Sequence, residues 1–376
     1  MQVKDIIDKL YSTTNASREE LLFLLDNLSE ENKEYLIEKA HRVAVENYSK
    51  NVYIRGLIEF TNYCIRDCKY CGIRKSNHKA DRYRLSIDEI LECADIGDKL
   101  GYKTYVLQGG EDSYFTDEKM VEIIKKIKEK YPGNAITLSL GERSYKSYKM
   151  MFNAGADRYL LRHETATKEL YDSLHPNGSF ENRIQCLKNL KEIGYQVGAG
   201  FMVGLPNQSN KNLIDDLIFL KELNPHMCGI GPFIPHKDTP LANEKGGTLE
   251  KTITMLALVR LMLPKILLPA TTALGSVDPL GREKGLKAGA NVVMPNLSPT
   301  NVREKYSLYD GKICTGDEAA ECRVCIERRI NAAGFNLEIT RGDSLALSNT
   351  EKENINSKLV DNKNNGVKLD NIVLIN

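Results

Sequence analysis

A complete (β/α)8 barrel of the TIM type, an α/β fold, is what the sequence predicts, with a helical extension before the barrel and another extension after it. Eight short apolar runs occur over about 240 residues from Tyr53 onward, and stretches of helical length separate them. Strands that alternate with helices build βαβ units and a parallel sheet, and eight such units close into a barrel. An open doubly wound sheet remains the alternative, because periodicity alone does not show closure.

The first 50 residues are predicted to be helical. Ser17 directly precedes a helical apolar pattern and stands three positions before Glu20, which is the arrangement of an N-cap with a capping box. After Tyr53 the pattern changes to alternating strands and helices. Strands are predicted near residues 54–60, 104–107, 135–138, 158–161, 196–202, 227–230, 266–269 and 291–294. Helices are predicted over residues 86–100, 117–130, 145–154, 181–193, 210–223, 249–263 and 282–288.

These elements divide the chain into four parts. Residues 1–50 form the helical extension, residues 51–300 the barrel, residues 301–345 a segment with a second group of cysteines, and residues 346–376 a flexible polar tail. Residues 348–366 consist mainly of Asn, Lys, Glu and Ser, so a loosely ordered extension is expected there. The apolar residues 372–375 are able to dock elsewhere on the protein.

Composition excludes several classes of protein. With 376 residues, 41% of them apolar and 27% charged, the chain is globular rather than collagen-like, mucin-like or wholly disordered. Its 52 basic and 51 acidic residues give a net charge of +1, which argues against a nucleic-acid binder held by bulk charge. No window approaches about 20 uninterrupted apolar residues, and the N-terminus has no apolar signal core, so a cytoplasmic location is expected.

Six of the nine cysteines fall into two groups of three. In a cytoplasmic chain such groups indicate metal binding or catalysis more readily than disulfides. The other three, Cys93, Cys186 and Cys228, are expected to be ordinary buried thiols.

The first group, Cys64, Cys68 and Cys71, follows the first predicted barrel strand with the spacing CxxxCxxC. Three thiolates in one loop can hold three corners of a cubic iron–sulfur cluster, whose usual complement is four. The missing fourth ligand leaves one iron open to a small molecule, as at a catalytic metal. The alternative is a structural zinc site with His78 as the fourth ligand, although the loop lies at the end of the barrel that carries active sites.

Polar side chains follow other predicted strands at the same mouth of the barrel. Gly109 and Gly110, with Glu111, follow the second strand, and glycines let a backbone approach a ligand closely, although a tight turn explains them equally well. Arg158 begins the fourth strand, whereas Arg162 and Glu164 lie at its end. Charged residues are seldom buried without partners, so this run indicates a site.

Four other candidates come from later loops. Arg183 opens a helix and is able to bind a carboxylate bidentately, although a surface position is equally compatible with the sequence. Thr271 and Thr272 follow the seventh strand, where two hydroxyls suit an anion or a helix N-cap. Ser139 follows the third strand.

The cysteine spacing, with Tyr70 before the last cysteine, resembles the radical S-adenosylmethionine (SAM) superfamily. A narrower resemblance is to the radical SAM maturases of [FeFe]-hydrogenase, and it spans roughly residues 50–335. The matching strings include residues 107–112 (LQGGED), 158–165 (RYLLRHET), 198–206 (GAGFMVGLP), 229–236 (GIGPFIPH), 269–273 (PATTA) and 294–296 (MPN). Biotin synthase and methylornithine synthase are relatives with the same type of barrel.

The resemblance implies a role for each residue. Cys64, Cys68 and Cys71 would ligate a [4Fe–4S] cluster that cleaves SAM to a 5′-deoxyadenosyl radical. The residues implied to bind SAM are Tyr70, Gly109, Gly110, Glu111, Ser139, Glu164, Arg183, Met202 and Leu205, with Arg183 at the carboxylate and with Tyr70, Met202 and Leu205 near the adenine. Arg158, Arg162, Thr271 and Thr272 would line an anion-holding cavity, with Tyr306 and Tyr309 closing it.

The second group, Cys314, Cys322 and Cys325, lies beyond the last predicted strand. It resembles an auxiliary [2Fe–2S] or [4Fe–4S] site that varies within the maturases and is not required for their core chemistry. A zinc site or free thiols are the alternatives.

The function implied by the resemblance is assembly of the hydrogenase di-iron subcluster. The substrate would be a small anionic iron–CO/CN–cysteine complex supplied by the tyrosine lyase HydG, and the product would pass to the scaffold GTPase HydF. Electrons would come from ferredoxin or flavodoxin. The alternatives are an amino-acid mutase like methylornithine synthase, a sulfur-inserting enzyme like biotin synthase, or a non-catalytic iron–sulfur or zinc protein.

Overall fold

The structure of the protein is a computed structural model that describes residues 2–364. The strands are β1 Asn51–Ile54, β2 Gly56–Thr61, β3 Thr104–Gly109, β4 Ala135–Ser139, β5 Arg158–Leu160, β6 Gln196–Ala199, β7 Met202–Val203, β8 Met227–Cys228, β9 Gly231–Pro232, β10 Val292–Val293 and β11 Asn336–Glu338. The helices are α1 Val3–Thr13, α2 Arg18–Asp26, α3 Glu30–Tyr48, α4 Ile87–Lys99, α5 Asp117–Lys130, α6 Tyr145–Asn153, α7 Lys168–Leu174, α8 Phe180–Ile193, α9 Asn210–Leu223, α10 Leu249–Met262, α11 Thr272–Val277, α12 Gly281–Lys287, α13 Thr300–Arg303, α14 Ala319–Ala332 and α15 Asn349–Asn364.

The predicted α/β class with a parallel sheet is confirmed. Six strands pair in the order β2-β3-β4-β5-β6-β8, and every pairing is parallel. A second sheet, β10-β1-β11, and the pair β7-β9 are also parallel. Helices of the βαβ units follow the strands, so the carboxyl ends of the six strands face one edge, where ligands of such sheets bind.

The strand predicted near residues 266–269 is not a regular ladder in the structure. Isolated parallel bridges occur there instead, between Met227 and Leu267 and between Pro269 and Val292. A further bridge joins Leu57 of β2 to Asn296. Proline has no amide hydrogen to donate, so Pro269 prevents a continuous ladder in this stretch.

Close contact between two glycines divides two of the predicted strands. Gly200 separates β6 from β7 and has a φ of +154°, and a Cβ atom at this position would lie 2.1 Å from the carbonyl oxygen of Gly229. Gly229 separates β8 from β9 in the same way. The two segments can therefore approach this closely because residue 200 has no side chain, whereas a Cβ atom at residue 229 would be in ordinary contact.

The predicted helices are confirmed to within one residue at each end, and their caps explain why. Ser86, for example, caps α4 through a capping box with Glu89, as Ser17 does with Glu20 in α2. Helix α10 is buried on all sides from Thr252 to Met262 because it packs against α3 of the N-terminal extension. The first 50 residues thus cover a helix that would otherwise expose an apolar face.

The C-terminal segment closes the amino ends of the strands with buried ion pairs. After β11 adds to β1, Asp343 lies 2.6 Å from Arg158 and 3.0 Å from Arg341. Arg341 also lies 3.0 Å from Asp157, which pairs with Lys128 at 2.8 Å. Burial alone would raise the pKa of Asp343, but Arg341 and Arg158 outweigh burial and hold its pKa below the ordinary value.

The tail differs from the prediction of a loosely ordered extension, because residues 349–364 form helix α15. Leu359 is buried and Glu351 lies 3.3 Å from His226, so this helix has contacts that its polar composition does not reveal. The apolar residues 372–375 lie outside the described residues. None of the helices within residues 2–364 is both long and apolar enough to cross a membrane.

We expect Asp343→Asn to destabilise the protein by about 3–5 kcal/mol at pH 7, because it leaves two buried arginines without their shared carboxylate. Asp157 and Asp343 have pKa values below the ordinary value in the folded state. Their stabilising effect is therefore complete above about pH 5 and is lost as the pH falls below about 4. Urea denaturation of both proteins between pH 3 and 7 measures this effect.

Asp172→Asn is the control, because Asp172 pairs with Lys168 at the surface. Equal loss of stability in the two variants would contradict the structural role of the buried network.

Candidate functional site

The three cysteines of the first group lie in a long loop at the carboxyl end of β2. Backbone hydrogen bonds join this loop to three other parts of the chain, from Ile65 to the carbonyl of Glu111, from Lys69 to that of Leu174 and from Gly72 to that of Leu308, each 2.9 Å long. These bonds fix the path of an otherwise irregular loop.

The three thiols are mostly buried and close enough to influence one another. Burial and then the neighbouring Cys64 thiol raise the pKa of Cys68 to about 12. Burial, followed by the thiols of Cys68 and Cys64, raises the pKa of Cys71 well above its ordinary value. A bound metal stabilises thiols in their deprotonated form, which burial among neighbouring thiols otherwise disfavours. The donor set therefore suits a metal centre. Within residues 2–364 no group of three His, Cys, Asp or Glu side chains is arranged to hold a single metal ion, and His78 is exposed.

A network of buried ion pairs joins this loop to the neighbouring strand ends. Arg66 lies 2.5 Å from Glu111 and 2.9 Å from Glu142. Glu142 in turn accepts a 2.6 Å hydrogen bond from Nε of Arg183. We call these four residues the Arg66–Arg183 clamp. The carboxylate of Glu111 is thus bound within the clamp. The backbone carbonyl of Glu111 instead bonds the cysteine loop, at the amide of Ile65.

Gly110 is in direct contact with the cysteine loop. A Cβ atom at residue 110 would lie 2.2 Å from the carbonyl oxygen of Tyr63 and 2.8 Å from Cβ of Cys64. Gly109 is similarly close to Thr61. The glycine pair is therefore required by packing at the site, which goes beyond a tight turn.

Arg162 and Glu164 present unpartnered polar atoms at the end of β5. Within the described part of the chain, Nε and Nη2 of Arg162 and Oε2 of Glu164 are buried without a hydrogen-bond partner, although Nη2 and Oε2 are 3.2 Å apart. Glu164 has a φ of +66°, which is strained for a residue with a side chain. Unsatisfied buried polar groups and strain both favour a ligand at this position.

A buried pair lies directly behind this turn. His163 and Asp216 are both fully buried, with Nε2 and Oδ1 3.3 Å apart, and Asp216 also accepts a 2.6 Å hydrogen bond from the amide of Ala166. Burial lowers the pKa of His163 to about 3, so the imidazole is neutral. The pair holds the strained turn from within the core.

Three of the predicted residues meet in a separate apolar cluster. Met202 and Leu205 pack with Leu174, and Tyr70 packs against this cluster. The hydroxyl of Tyr70 lies 2.9 Å from Nε2 of His175. Residues 70, 202 and 205 therefore line one surface, as the sequence predicts, and Arg183 lies nearby over the ring of Tyr171.

Arg158 lies at the other end of the sheet from the cysteine loop. With Arg55, Thr137 and Met227 it lines a cavity of about 10 Å³, which has room for one water-sized body. Among the described residues, Nε of Arg55, Nε of Arg158 and Oγ1 of Thr137 are buried without a partner. The sequence predicts one cavity for Arg158, Arg162, Thr271 and Thr272, but the structure divides them. Arg158 lies at the lower level, near the amino ends of the strands, and Arg162 lies at the upper level, near their carboxyl ends.

The two threonines lie beside the second group of cysteines. Thr271 occupies the N-cap position of α11, but its hydroxyl makes no capping hydrogen bond and lies 3.5 Å from the carbonyl of Ile230. Thr272 accepts a 3.2 Å hydrogen bond from Arg282, which also lies 3.7 Å from the sulfur of Cys314. Burial and Cys314 raise the pKa of Cys322. The second group is thus connected to α11 through one guanidinium.

The remaining predicted residues lie at the rim. Ser139 ends β4 opposite Gln108, whose amide lies 3.3 Å from the hydroxyl of the buried Tyr306. Tyr309 is half-buried near Ser276. Sequence reasoning missed Arg66 and Glu142 as members of the clamp, and Arg55 and Thr137 in the lower cavity. Arg66 stands between Cys64 and Cys68 in the sequence, so its position was the available signal.

Comparison with known proteins agrees with this geometry. The model of the radical SAM superfamily matches residues 58–220. The [FeFe] hydrogenase maturase subunit HydE of Thermotoga maritima is 47% identical over 334 residues, which cover 89% of this chain and 95% of that protein. The chain belongs to the HydE family of radical SAM enzymes.

Two solved structures resemble this HydE-family chain. Methylornithine synthase (PylB) superimposes with a TM-score of 0.78 at 27% identity, covering 89% of this chain and 97% of that one. The maturase HydG of Carboxydothermus hydrogenoformans has a TM-score of 0.75 at 23% identity, covering 90% and 79%. The second likeness supports the fold alone.

Membership in the radical SAM superfamily implies a [4Fe–4S] cluster with SAM. The donor set of this HydE-family chain fits both groups. The three thiols lie in one loop with no fourth cysteine beside them in the sequence, and the buried Nε of Arg162 remains for a polar ligand. An auxiliary cluster at Cys314, Cys322 and Cys325 remains a prediction.

We expect Gly110→Ala to lower the iron retained after anaerobic reconstitution, because the added methyl group displaces the backbone of Tyr63 and with it Cys64. Iron and sulfide analysis together with the absorbance of the cluster measures the effect. Gly133→Ala is the control, since nothing lies within 4 Å of a Cβ atom there. Full iron content in Gly110→Ala would contradict the close contact.

Proposed function

We propose that this chain cleaves SAM reductively and acts in assembly of the di-iron subcluster of the [FeFe]-hydrogenase H-cluster. The observation that carries the proposal is a loop of three half-buried cysteines in a chain 47% identical to HydE over nearly its whole length. The bound cluster supplies the electron that splits the C–S bond of SAM and yields a 5′-deoxyadenosyl radical.

In this proposal the thiols of Cys64, Cys68 and Cys71 bind the cluster and leave one iron for SAM. The backbone of Gly109, Gly110 and Glu111 receives the amino group of the methionine portion. The carboxylate of Glu111 takes no part in this, because Arg66 holds it within the clamp.

Arg183 binds the carboxylate of SAM through its remaining nitrogen. Its Nε donates to Glu142 and its Nη1 to the carbonyl of Arg162, whereas Nη2 makes no hydrogen bond within residues 2–364. Glu164 and Ser139 bind further polar groups of the cofactor, and the surface of Tyr70, Met202 and Leu205 covers the adenine. The apolar cover also excludes water from the radical chemistry.

The substrate in this proposal is a small anionic iron complex with CO, cyanide and cysteine, which HydG supplies. Bound SAM would supply the adenosyl radical for chemistry at the cysteine sulfur of this complex, and the product would pass to HydF. Arg162, Thr271 and Thr272 hold the anion at the upper level of the barrel. Arg158 lies at the lower level, where it pairs with Asp343 beside a cavity with room for one water-sized body, so it takes no part in binding the substrate.

The proposal includes a complete (β/α)8 barrel over residues 51–300. The isolated bridges support closure, since they join Leu267 to the last strand of the six-stranded sheet, Pro269 to β10, and Asn296 back to β2. Residues 1–50, 301–345 and 346–376 are proposed to be separate extensions. The group at Cys314, Cys322 and Cys325 is proposed to hold an auxiliary cluster that is not required for SAM cleavage.

Methylornithine synthase has a closely similar fold, so the fold does not choose between an amino acid and an iron complex as substrate. The identity of 47% to HydE against 27% to methylornithine synthase favours the maturase.

We expect Cys68→Ala to abolish formation of 5′-deoxyadenosine, because the cluster loses one of its three protein ligands. Cys322→Ala is the matched variant and should retain most of the activity. The measurement is 5′-deoxyadenosine and methionine released after anaerobic reconstitution, addition of SAM and reduction with dithionite.

Two results would contradict the proposal. If the unaltered protein holds four irons at its first site and releases neither 5′-deoxyadenosine nor methionine, the proposal is wrong. Loss of all cleavage in Cys322→Ala would contradict the division of roles between the cysteine groups.

A further inference from the structure

The cysteine loop has a surplus of basic residues. Residues 61–84 contain seven basic and two acidic residues, a net charge of +5, in a chain whose total is +1. Carboxylates from outside this segment pair with Arg66, Lys79 and Arg84. The remaining surplus attracts a negatively charged partner and orients it before contact.

Exposed aromatic and apolar side chains lie beside the cluster ligands on the same loop. Tyr63, Ile65 and Tyr114 are 36%, 51% and 48% exposed, and the first two flank Cys64. Arg84 lies between the two tyrosines, 3.7 Å from the ring centre of Tyr63 and 4.8 Å from that of Tyr114. Lys119 lies 3.3 Å over the ring of Tyr114. These five residues are the Tyr63–Tyr114 patch.

Most of the carboxylates near the patch are already paired, whereas the exposed Glu118, which precedes Lys119, makes no ion pair within residues 2–364. Asp112 is buried under Arg84 and binds it bidentately. In the adjoining cleft of about 380 Å³, Asp117 pairs with Arg143, and Glu111 and Glu142 belong to the clamp.

Two cations at the patch have no carboxylate partner within residues 2–364. Arg82, which lies 6.0 Å from the ring of Tyr63, donates only to backbone carbonyls. Lys119 makes no ion pair among the described residues. The surface is thus cationic as well as aromatic, and tyrosine and arginine are the residues that most often dominate binding energy at protein interfaces.

We propose that the Tyr63–Tyr114 patch is the docking surface for an acidic one-electron carrier protein that reduces the cluster. The inference rests on the proposed function, which requires one electron from outside for each cleavage. Tyr63 and Ile65 directly flank Cys64 in the sequence, so a protein seated on the patch lies within one residue of a cluster ligand. Electron transfer is fastest over the shortest path, and this patch provides a short path.

The test uses Lys119→Glu, alone and combined with Tyr114→Ser. Residue 119 is the third residue of α5, where a glutamate suits the positive end of the helix dipole, so the variant is expected to fold. Lys125→Glu is the matched control, because Lys125 is exposed on the same helix but faces another direction. The readout is the rate at which reduced acidic flavodoxin reduces the reconstituted cluster, followed by electron paramagnetic resonance without SAM.

We expect flavodoxin-driven reduction to fall at least about tenfold in the double variant and to lose most of its dependence on salt. Reduction by dithionite, which needs no docking, should be unchanged in every variant. An unchanged flavodoxin rate, an equal fall in Lys125→Glu, or an equal fall with dithionite would each overturn the docking surface. A cluster that flavodoxin reduces normally but that never cleaves SAM would contradict the proposed function and leave the docking surface supported.

Discussion

The site depends on the buried ion pairs that fix the cysteine loop. Residues 62–86 contain no helix and no regular strand, yet three of them must place their thiols around one centre. The Arg66–Arg183 clamp gives this loop a fixed position, because Arg66 lies between two cysteines and its two carboxylate partners come from two other strand ends. Burying these charges is costly, and their close pairing offsets the cost. The strand-end loops and the cysteine loop therefore become ordered together.

The same region contains features that reduce stability. Arg162 and Glu164 leave buried polar atoms without partners, and Glu164 adopts a left-handed backbone. Each unsatisfied group costs about 1–3 kcal/mol. The neutral His163–Asp216 pair behind the turn holds it in place. Natural sequences depart from good packing mainly at functional sites, where a ligand supplies the missing contacts.

Much of the fold and part of the site followed from local sequence patterns. Helices such as α4 were predictable because Ser86 and Glu89 form their cap within four residues, and the cysteine spacing identified the loop without any structure. The clamp and the network around Asp343 were not predictable, because their partners are far apart in sequence; Arg158 and Asp343, for example, are separated by 185 residues. The division of the predicted anion cavity into two levels has the same cause. A strand places residues 158 and 162 several ångströms apart, and only the tertiary structure shows what surrounds each one.

The two cysteine groups have different surroundings, and the difference bears on their roles. The first group contacts the strand-end loops that form the candidate site, through Gly110 and the clamp. The second group begins at Cys314, which has a φ of +63°, and ends on α14, beyond the last strand. Arg282 contacts both Cys314 and the hydroxyl of Thr272, so a change at the second group reaches the proposed substrate side of the barrel through this guanidinium. No corresponding contact of Cys314 with the clamp or with the turn at Glu164 is found among the described residues. The geometry therefore favours an influence of the second group on the substrate rather than on SAM.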